Sequence, residues 1–257
     1  MKQRLDQTMV QRGLVPTRSQ AESFIKLGKV LVNKKVVTKP GAMVTEHDVL
    51  VLTATEQYVS RAGLKLASVA AMLKLDFKDK VVLDVGSSTG GFTDYALQHG
   101  ARHVIAVDVG TNQLHPSFRD HPSIELYEQT DIRNVWLNQA EIRDKRLETR
   151  ESKVMIEKAP DIVVIDVSFI SLREILPHIS KLLTRNSVIA AMVKPQFEAD
   201  NSSKHKGVIK NDRMRRDILQ DFEVWAKQHF VLLDKADSEV AGSKGNRERF
   251  YLLKKAT

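Results

Sequence analysis

A small set of charged side chains and one glycine-rich turn carry the chemistry open to this sequence. The turn is Asp84-Val85-Gly86-Ser87-Ser88-Thr89-Gly90-Gly91-Phe92. A strand that ends in such a turn and opens a helix is a nucleotide site, because unpaired backbone N–H groups face the ligand there. The dinucleotide fingerprint needs a second glycine two residues after the first, and Ser88 holds that place. A carboxylate at Asp84 would repel a pyrophosphate, but it suits a cationic amino-acid end. Asp108 closes the next strand, where a carboxylate accepts two ribose hydroxyls. Asp131, in Gln129-Thr130-Asp131-Ile132, follows the third strand. It is either an adenine contact or the N-cap of a helix. Four more charges stand at element ends. Asp166 ends one apolar run and Lys194, before Pro195, ends the next. Glu248 opens the last strand, and Lys65 lies on the helix before the first. Such charges are costly to bury alone, and four complementary ones converging on one crevice offset each other. Ser168 and Ser171 are expected to cap the following helix, since no His–Asp partner pattern accompanies them.

The elements that must position these groups read as a parallel α/β unit. Apolar strands at Lys80–Val85, His103–Val107, Ile124–Leu126, Asp161–Asp166 and Ser187–Val193 alternate with helical segments. That order implies a parallel sheet covered on both faces, with ligands outside the carboxyl ends of the strands. The C-terminus breaks the rhythm. Asn211 to Lys227 is predicted to be a helix with Ile218, Phe222 and Trp225 on one stripe. Phe230–Leu233 and Phe250–Leu253 follow as strands without a crossover helix, so as neighbours they pair antiparallel. Residues 140–158 are highly charged and read as an exposed helix or an insertion, with no function assigned. Residues 198–210 lack an apolar pattern and are expected to form a mobile loop that orders over ligand.

Charge is concentrated at the other end. Residues 1–40 hold nine cations and two anions, a net +7 against +8 for the whole chain. Leu5, Met9 and Val10 recur at helical spacing up to Gly13. Thr17 with Gln20 is a capping box for a second helix ending near Gly28. Val30-Leu31-Val32, the Asn33-Lys34-Lys35 turn, Val36-Val37 and Asp48–Leu52 read as strands and turns. The residues Arg4-Leu5-Asp6, Thr17 to Ala21, Ile25 to Val30 and Val32-Asn33 resemble the alpha-L RNA-binding module. That resemblance implies that the second helix and the Lys29–Lys35 turn face structured RNA, with Arg4, Arg18, Lys26, Lys29, Lys34 and Lys35 as contacts. RNA helices are read mainly through phosphates and 2′-hydroxyls, which a basic convex surface suits. The organisation read from the chain is residues 1–55 as this α+β module, 56–62 as linker and 63–257 as the catalytic unit.

The D-x-G-x-x-x-G loop resembles the S-adenosylmethionine loop, with Asp84, Gly86, Ser87, Gly90, Gly91, Phe92, Asp108 and Asp131 as its cofactor contacts. A mostly parallel, Rossmann-like sheet with a terminal antiparallel hairpin is the architecture of class I methyltransferases. Over nearly its whole length the chain resembles the TlyA-type rRNA 2′-O-methyltransferases, an alpha-L module fused to an FtsJ-like domain. The motifs are Ser60 to Leu66, Asp84 to Gly91, Asp161 to Leu172, Val193 to Glu198 and Gly245 to Phe250, with departures at Ala62 and Leu64. The family's Lys-Asp-Lys-Glu tetrad falls on Lys65, Asp166, Lys194 and Glu248. The resemblance implies methylation of cytidine ribose in small- or large-subunit rRNA. Lys194 then serves as base or oxyanion stabiliser, while Asp166 and Glu248 orient the lysines.

Composition narrows the alternatives. The chain has no cysteine, so disulfides, thiolate metal sites and the cysteine nucleophile of cytosine carbon-five methylation are excluded. Exocyclic-amine methylation usually shows two prolines and an aromatic after the acidic strand end, whereas here the residues are Asp166-Val167-Ser168-Phe169. An rRNA base methyltransferase or a silent ribosome-assembly factor is the remaining alternative. Relatives of this type often carry a haemolysin name, yet no apolar run approaches the roughly 20 residues that span a bilayer. No apolar region follows the basic start, so a cytoplasmic protein acting on rRNA or ribosomal subunits, without membrane or metal, is the expectation.

Overall fold

The computed structural model describes residues 2–54, 57–138, 153–199, 208–209, 211–242 and 245–256. The basic N-terminal unit is made of short elements: β1 (Gln3–Arg4), α1 (Leu5–Gln11), α2 (Arg18–Lys26), β2 (Val30–Val32), β3 (Lys35–Val36), β4 (Met43–Val44) and β5 (Leu50–Leu52). Thr17 caps α2 by accepting from the Gln20 N–H at 3.2 Å, as the Thr–Gln spacing requires. Asn33 and Lys34 take positive φ values of 50° and 66°. Such a turn matches the twist of a hairpin, and β2 pairs antiparallel with both β3 and β5. Strands β1 and β4 pair with each other. They are two residues long, too short for alternation to reveal them.

The remaining elements are α3 (Arg61–Ala70), β6 (Val81–Val85), α4 (Gly91–Gln98), β7 (His103–Val107), β8 (Ile124–Tyr127), β9 (Val135–Leu137), β10 (Val154–Ile156), β11 (Ile162–Ile165), α5 (Leu172–Ile179), β12 (Val188–Val193), α6 (Pro195–Glu198), α7 (Asp212–His229), β13 (Phe230–Asp237) and β14 (Arg249–Lys255). Among the described residues they form a seven-stranded sheet in the order β13-β14-β12-β11-β6-β7-β8. The five strands from β12 to β8 are parallel. Strand β14 runs antiparallel to both β12 and β13. This is the mostly parallel sheet with a terminal hairpin that the strand order implied. The crest of the sheet reverses between β6 and β11, so their carboxyl ends flank the crevice where a ligand belongs.

Strand alternation divides the core into two layers. Val82, Val104 and Val164 turn toward Leu66 and Val69 of α3 and Phe92 and Ala96 of α4. Leu83, Ile105 and Val163, one residue along, turn toward Ile175 and Leu176 of α5 and Leu219 and Phe222 of α7. The first layer continues without a break into Phe24 and Ile25 of the basic unit through Tyr58 and Leu64. Gln20 Nε2 adds a hydrogen bond of 2.6 Å to the Tyr58 carbonyl.

Three expectations need correction. The buried stripe of α7 is Arg215, Leu219, Phe222 and Ala226, so Ile218 and Trp225 flank it rather than define it. Arg215 is accommodated because its guanidinium donates to Asp237 and to the Arg247 carbonyl. The charged segment 140–158 ends in a strand, since β10 pairs in parallel with β9; its residues 140–152 lie outside the described residues. The loop expected at 198–210 is not free at its start. Glu198 is buried and hydrogen-bonded, and Ile209 N–H donates to Asn246 Oδ1 at 2.9 Å. Residues 200–207 and Lys210 lie outside the described residues. No helix among the described residues is long and apolar enough to cross a membrane.

The glycines at the start of α3 and α4 set how closely these helices meet. A Cβ at Gly91 would overlap Ser60 Oγ and stand 2.7 Å from the Ala62 Cβ. A Cβ at Gly63 would come within 2.5 Å of the Tyr58 side chain. Gly91→Ala is therefore expected to destabilise the protein by about 1–3 kcal/mol through overpacking, read as a lower urea midpoint. Phe222→Ala, which empties the α7 layer, should cost about 3–5 kcal/mol in the same measurement.

Candidate active site

Helix α3 leads into the crevice from one side and β11 and β12 end on the other. Lys65 is the fifth of the ten residues of α3, and only 7% of it is exposed. Its Nζ lies 2.6 Å from Glu248 Oε2, just ahead of β14. Lys194 follows the last residue of β12 and is 8% exposed. Its Nζ lies 2.5 Å from Asp166 Oδ1 at the end of β11. The four charges thus meet as two ion pairs, Lys65–Glu248 buried on both sides and Lys194–Asp166 with the carboxylate half-buried. The parallel register places Ile165 beside Ala191, so Asp166 and Lys194 emerge from neighbouring strands on the same edge.

Lys194 has a further partner that the sequence reading missed. Its Nζ donates to Ser168 Oγ at 2.9 Å. Ser171 does cap α5, accepting from the Arg173 N–H at 3.2 Å. Ser168 does not; it holds the lysine instead. A serine two residues after an acidic strand end reads equally as cap or as ligand, and only the side-chain direction separates them.

The glycine-rich loop forms the floor. Gly86 has φ +82°, and a Cβ there would stand 3.0 Å from the Asp166 carbonyl oxygen. The loop can therefore pass directly beneath the end of β11 only without a side chain. Gly90 is the N-cap of α4 and Gly91 its first residue. Phe92 packs into the α4 layer against Phe250 with ring centroids 5.9 Å apart. A cavity of about 260 Å³ is lined by Lys65, Asp84, Gly86, Ser87, Phe92, Asp166 and Lys194. Ser60, Arg61, Ser88 and Thr89 also line it, though only their motif neighbours were singled out from the sequence. A second cavity of about 310 Å³ shares Gly86, Ser88, Asp166 and Ser168 with it and reaches Asp108 and Asp131.

The carboxylates differ in their freedom. Asp84 Oδ2 accepts from Thr93 Oγ1 at 2.7 Å, while Oδ1 is buried without a partner among the described residues. Ser87 Oγ is in the same condition. Burial pushes the Asp84 carboxyl up to about 7; the Thr93 hydrogen bond opposes this and the charge of Asp166 adds to it. Asp108 Oδ2 accepts from the Ser88 N–H at 2.8 Å and Oδ1 from the Gly110 N–H at 2.7 Å. It fastens the loop and keeps further lone pairs for a ligand. Asp131 caps a short turn and is gripped by Arg133 at 2.6 Å. Hydrogen bonding to Arg133 holds its carboxyl below the usual carboxylate range. Among the described residues no cluster of three or more His, Asp or Glu side chains could hold a metal ion.

The six basic residues singled out in the N-terminal unit divide in two. Lys26, Lys29, Lys34 and Lys35 are exposed on α2 and the hairpin. Arg4 and Arg18 both donate to the buried Asp6, at 2.8 and 2.9 Å, so their guanidinium groups are held in place at the surface.

Comparison with known proteins identifies both parts of the chain. Residues 58–255 match the FtsJ-like methyltransferase family and residues 3–50 the S4 domain. The chain is 33% identical over 258 residues to the 16S/23S rRNA (cytidine-2′-O)-methyltransferase TlyA of Mycobacterium tuberculosis, covering 99% of this chain and 90% of that protein. It is 34% identical over 250 residues to Hemolysin A of Brachyspira hyodysenteriae, covering 95% and 97%. A solved structure from Streptococcus thermophilus that carries a hemolysin name superposes with a TM-score of 0.66 at 35% identity, covering 99% of this chain and 89% of that one.

The Asp84 carboxyl gives a test that needs no substrate. A folded value near 7 against an ordinary 3.8 means that the ionised form is costly in the folded state. That cost is absent below the ordinary value and complete once pH exceeds about 7. Asp84→Asn is expected to raise the Tm of the ligand-free protein at pH 8, by up to a few kcal/mol in stability. The gain should shrink steadily toward pH 5. A variant no more stable than the wild type at pH 8 would refute the burial argument.

Proposed function

The chain belongs to the FtsJ-like methyltransferase family, with an S4 domain ahead of the catalytic one, and from that premise we propose that it methylates the 2′-oxygen of a cytidine ribose in ribosomal RNA. The observation that carries this reading is the pair of contacts between buried lysines and carboxylates beside the glycine-rich loop. The cofactor is S-adenosylmethionine, and the crevice suits it. The unpartnered Asp84 Oδ1 and Ser87 Oγ match an amino-acid end that brings an ammonium group and a carboxylate. Asp108 would accept the ribose hydroxyls, and Asp131 lies where the adenine would end. Gly86, Gly90, Gly91 and Phe92 shape the floor beneath it. When bound, the cofactor supplies an electrophilic methyl group on a sulfonium.

A ribose hydroxyl is a weak acid and a poor nucleophile, so the protein must position it and stabilise its developing charge. Lys194 is the group to do this. Asp166 and Ser168 fix its ammonium at 2.5 and 2.9 Å, leaving it aimed at the incoming oxygen. Lys65 forms the opposite wall and Glu248, buried and paired with it, balances its charge. The hydroxyl proton would pass to the Asp166 carboxylate, since the Lys194 ammonium has no lone pair to accept it, while the oxygen takes the methyl group and the sulfonium is left as a neutral thioether. The four exposed lysines and the held Arg4 and Arg18 would contact rRNA phosphates, and such contacts weaken steeply with salt.

Labelled S-adenosylmethionine and purified 30S and 50S subunits lacking the modification test the reading. Label recovered as 2′-O-methylcytidine is expected; label on a base, or none on either subunit, would overturn it. Lys194→Ala should lose at least about a hundredfold in turnover while still binding the cofactor, and near-normal turnover would contradict the assigned role.

Cofactor affinity should also depend on pH. Only ionised Asp84 attracts an ammonium, and its carboxyl titrates at about 7. Binding measured by calorimetry is expected to be several-fold weaker at about pH 6 than at about pH 7.4. Equal affinity at both would remove Asp84 from the cofactor site.

A further inference from the structure

Three contacts join the turn after β11 to the turn after β12. Lys194 reaches Asp166 and Ser168, as described. The Phe197 ring packs on the Phe169 ring with centroids 5.2 Å apart. Glu198 closes the row: its carboxylate accepts from Ser171 Oγ at 2.6 Å and from the Leu172 N–H at 2.8 Å. Positions 194, 197 and 198 thus face positions 166–168, 169 and 171–172 in order. The turn they grip is not self-supporting. Phe169 has φ +66° and is 92% exposed. A non-glycine residue in that region persists only where its surroundings hold it.

Glu198 is placed for holding and not for contact. It is 8% exposed and is absent from the walls of the cavity that Lys65 and Lys194 line. It shares the cap of α5 with Ser171, which takes the Arg173 N–H while Glu198 takes the Leu172 N–H. A buried carboxylate is costly, and here the cost is offset in part by two hydrogen bonds, the N-terminal end of α5 and Arg173 Nε at 3.7 Å. Arg173 is itself tied to Asp221 of α7 at 2.6 Å.

We infer that Glu198 is a positioning residue for methyl transfer, clamping the 166–171 turn so that Asp166 and Ser168 hold Lys194 on its target. This rests on the reading of Lys194 as the group at the reacting hydroxyl. Without the clamp the turn relaxes, and the lysine loses its aim while the cofactor floor stays intact. Turnover should therefore fall with little change in binding.

The experiment is steady-state methyl transfer to the ribosomal subunit that the wild type modifies, with rates normalised to cofactor-binding sites. Glu198→Ala is expected to lower kcat at least tenfold, with KM for cofactor and for RNA within threefold of wild type. Glu198→Gln, which keeps an acceptor for the Leu172 N–H, should recover to within threefold. A purely structural glutamate would lower the number of binding sites and the Tm but leave kcat per site unchanged, and a kcat within twofold of wild type in E198A overturns the inference. Should E198A not fold, Ser171→Gly decides, because it deletes the hydroxyl that donates to Glu198 while glycine is tolerated at the N-cap position that Ser171 also fills: a several-fold lower kcat per cofactor-binding site supports the clamp and an unchanged kcat overturns it. K194A measured alongside separates the two readings. If K194A is inactive and E198A is not, only the clamp fails; if K194A is active, the role of Lys194 fails first.

Discussion

Two lysine ammonium groups sit in one crevice with almost no access to water, and neither could stay there without its carboxylate. Leaving a buried charge unpaired costs several kcal/mol, so each lysine must meet its partner in every folded molecule. That requirement constrains the rest of the catalytic domain. Asp166 and Lys194 must leave adjacent parallel strands on the same edge, which the β11–β12 register provides. Glu248 must arrive from the opposite direction, which requires the antiparallel β14 beside β12. Helix α3, which carries Lys65, must pack close on the start of α4, which requires glycine at positions 63 and 91. The terminal hairpin and the close helix contact are therefore parts of the site, and not decoration on a nucleotide-binding sheet.

The same crevice holds polar atoms that the protein alone does not satisfy. Asp84 Oδ1 and Ser87 Oγ are buried without partners among the described residues. Nearly all buried polar groups in folded proteins find hydrogen bonds, so exceptions gathered on one wall point to a ligand that completes them. The protein gives up some stability there, as the raised Asp84 carboxyl shows. The basic domain contributes differently. Its apolar core runs into that of the catalytic domain, so a substrate gripped by its lysines is gripped by a surface firmly joined to α3, the helix that carries Lys65.

Much of this was legible in the sequence because long, strongly patterned segments dominate it. The five parallel strands, the glycine-rich turn, the Thr17 capping box and the charges at strand ends all follow from local rules. The C-terminal hairpin followed from the lack of a crossover segment. What was not legible depends on side-chain direction or on very short elements. Ser168 looked like a cap and holds Lys194. Strands β1, β4, β9 and β10 are two or three residues long and show no periodicity. The stripe on α7 was rotated because Arg215, paired with Asp237, occupies a core-facing position that a polarity pattern assigns to solvent. Glu198 was read as the start of a loop because its partners, Ser171 and Leu172, are distant in sequence.

The central claim is that the two ion pairs act as one reacting centre. A double-mutant cycle on Asp166→Asn and Glu248→Gln, read as single-turnover methyl transfer at saturating cofactor, tests it most directly. Residues that act as a unit are strongly non-additive, so the double variant is expected to be scarcely slower than the slower single one. Losses that multiply would show two independent pairs, each merely filling its own corner of the fold, and would contradict the account.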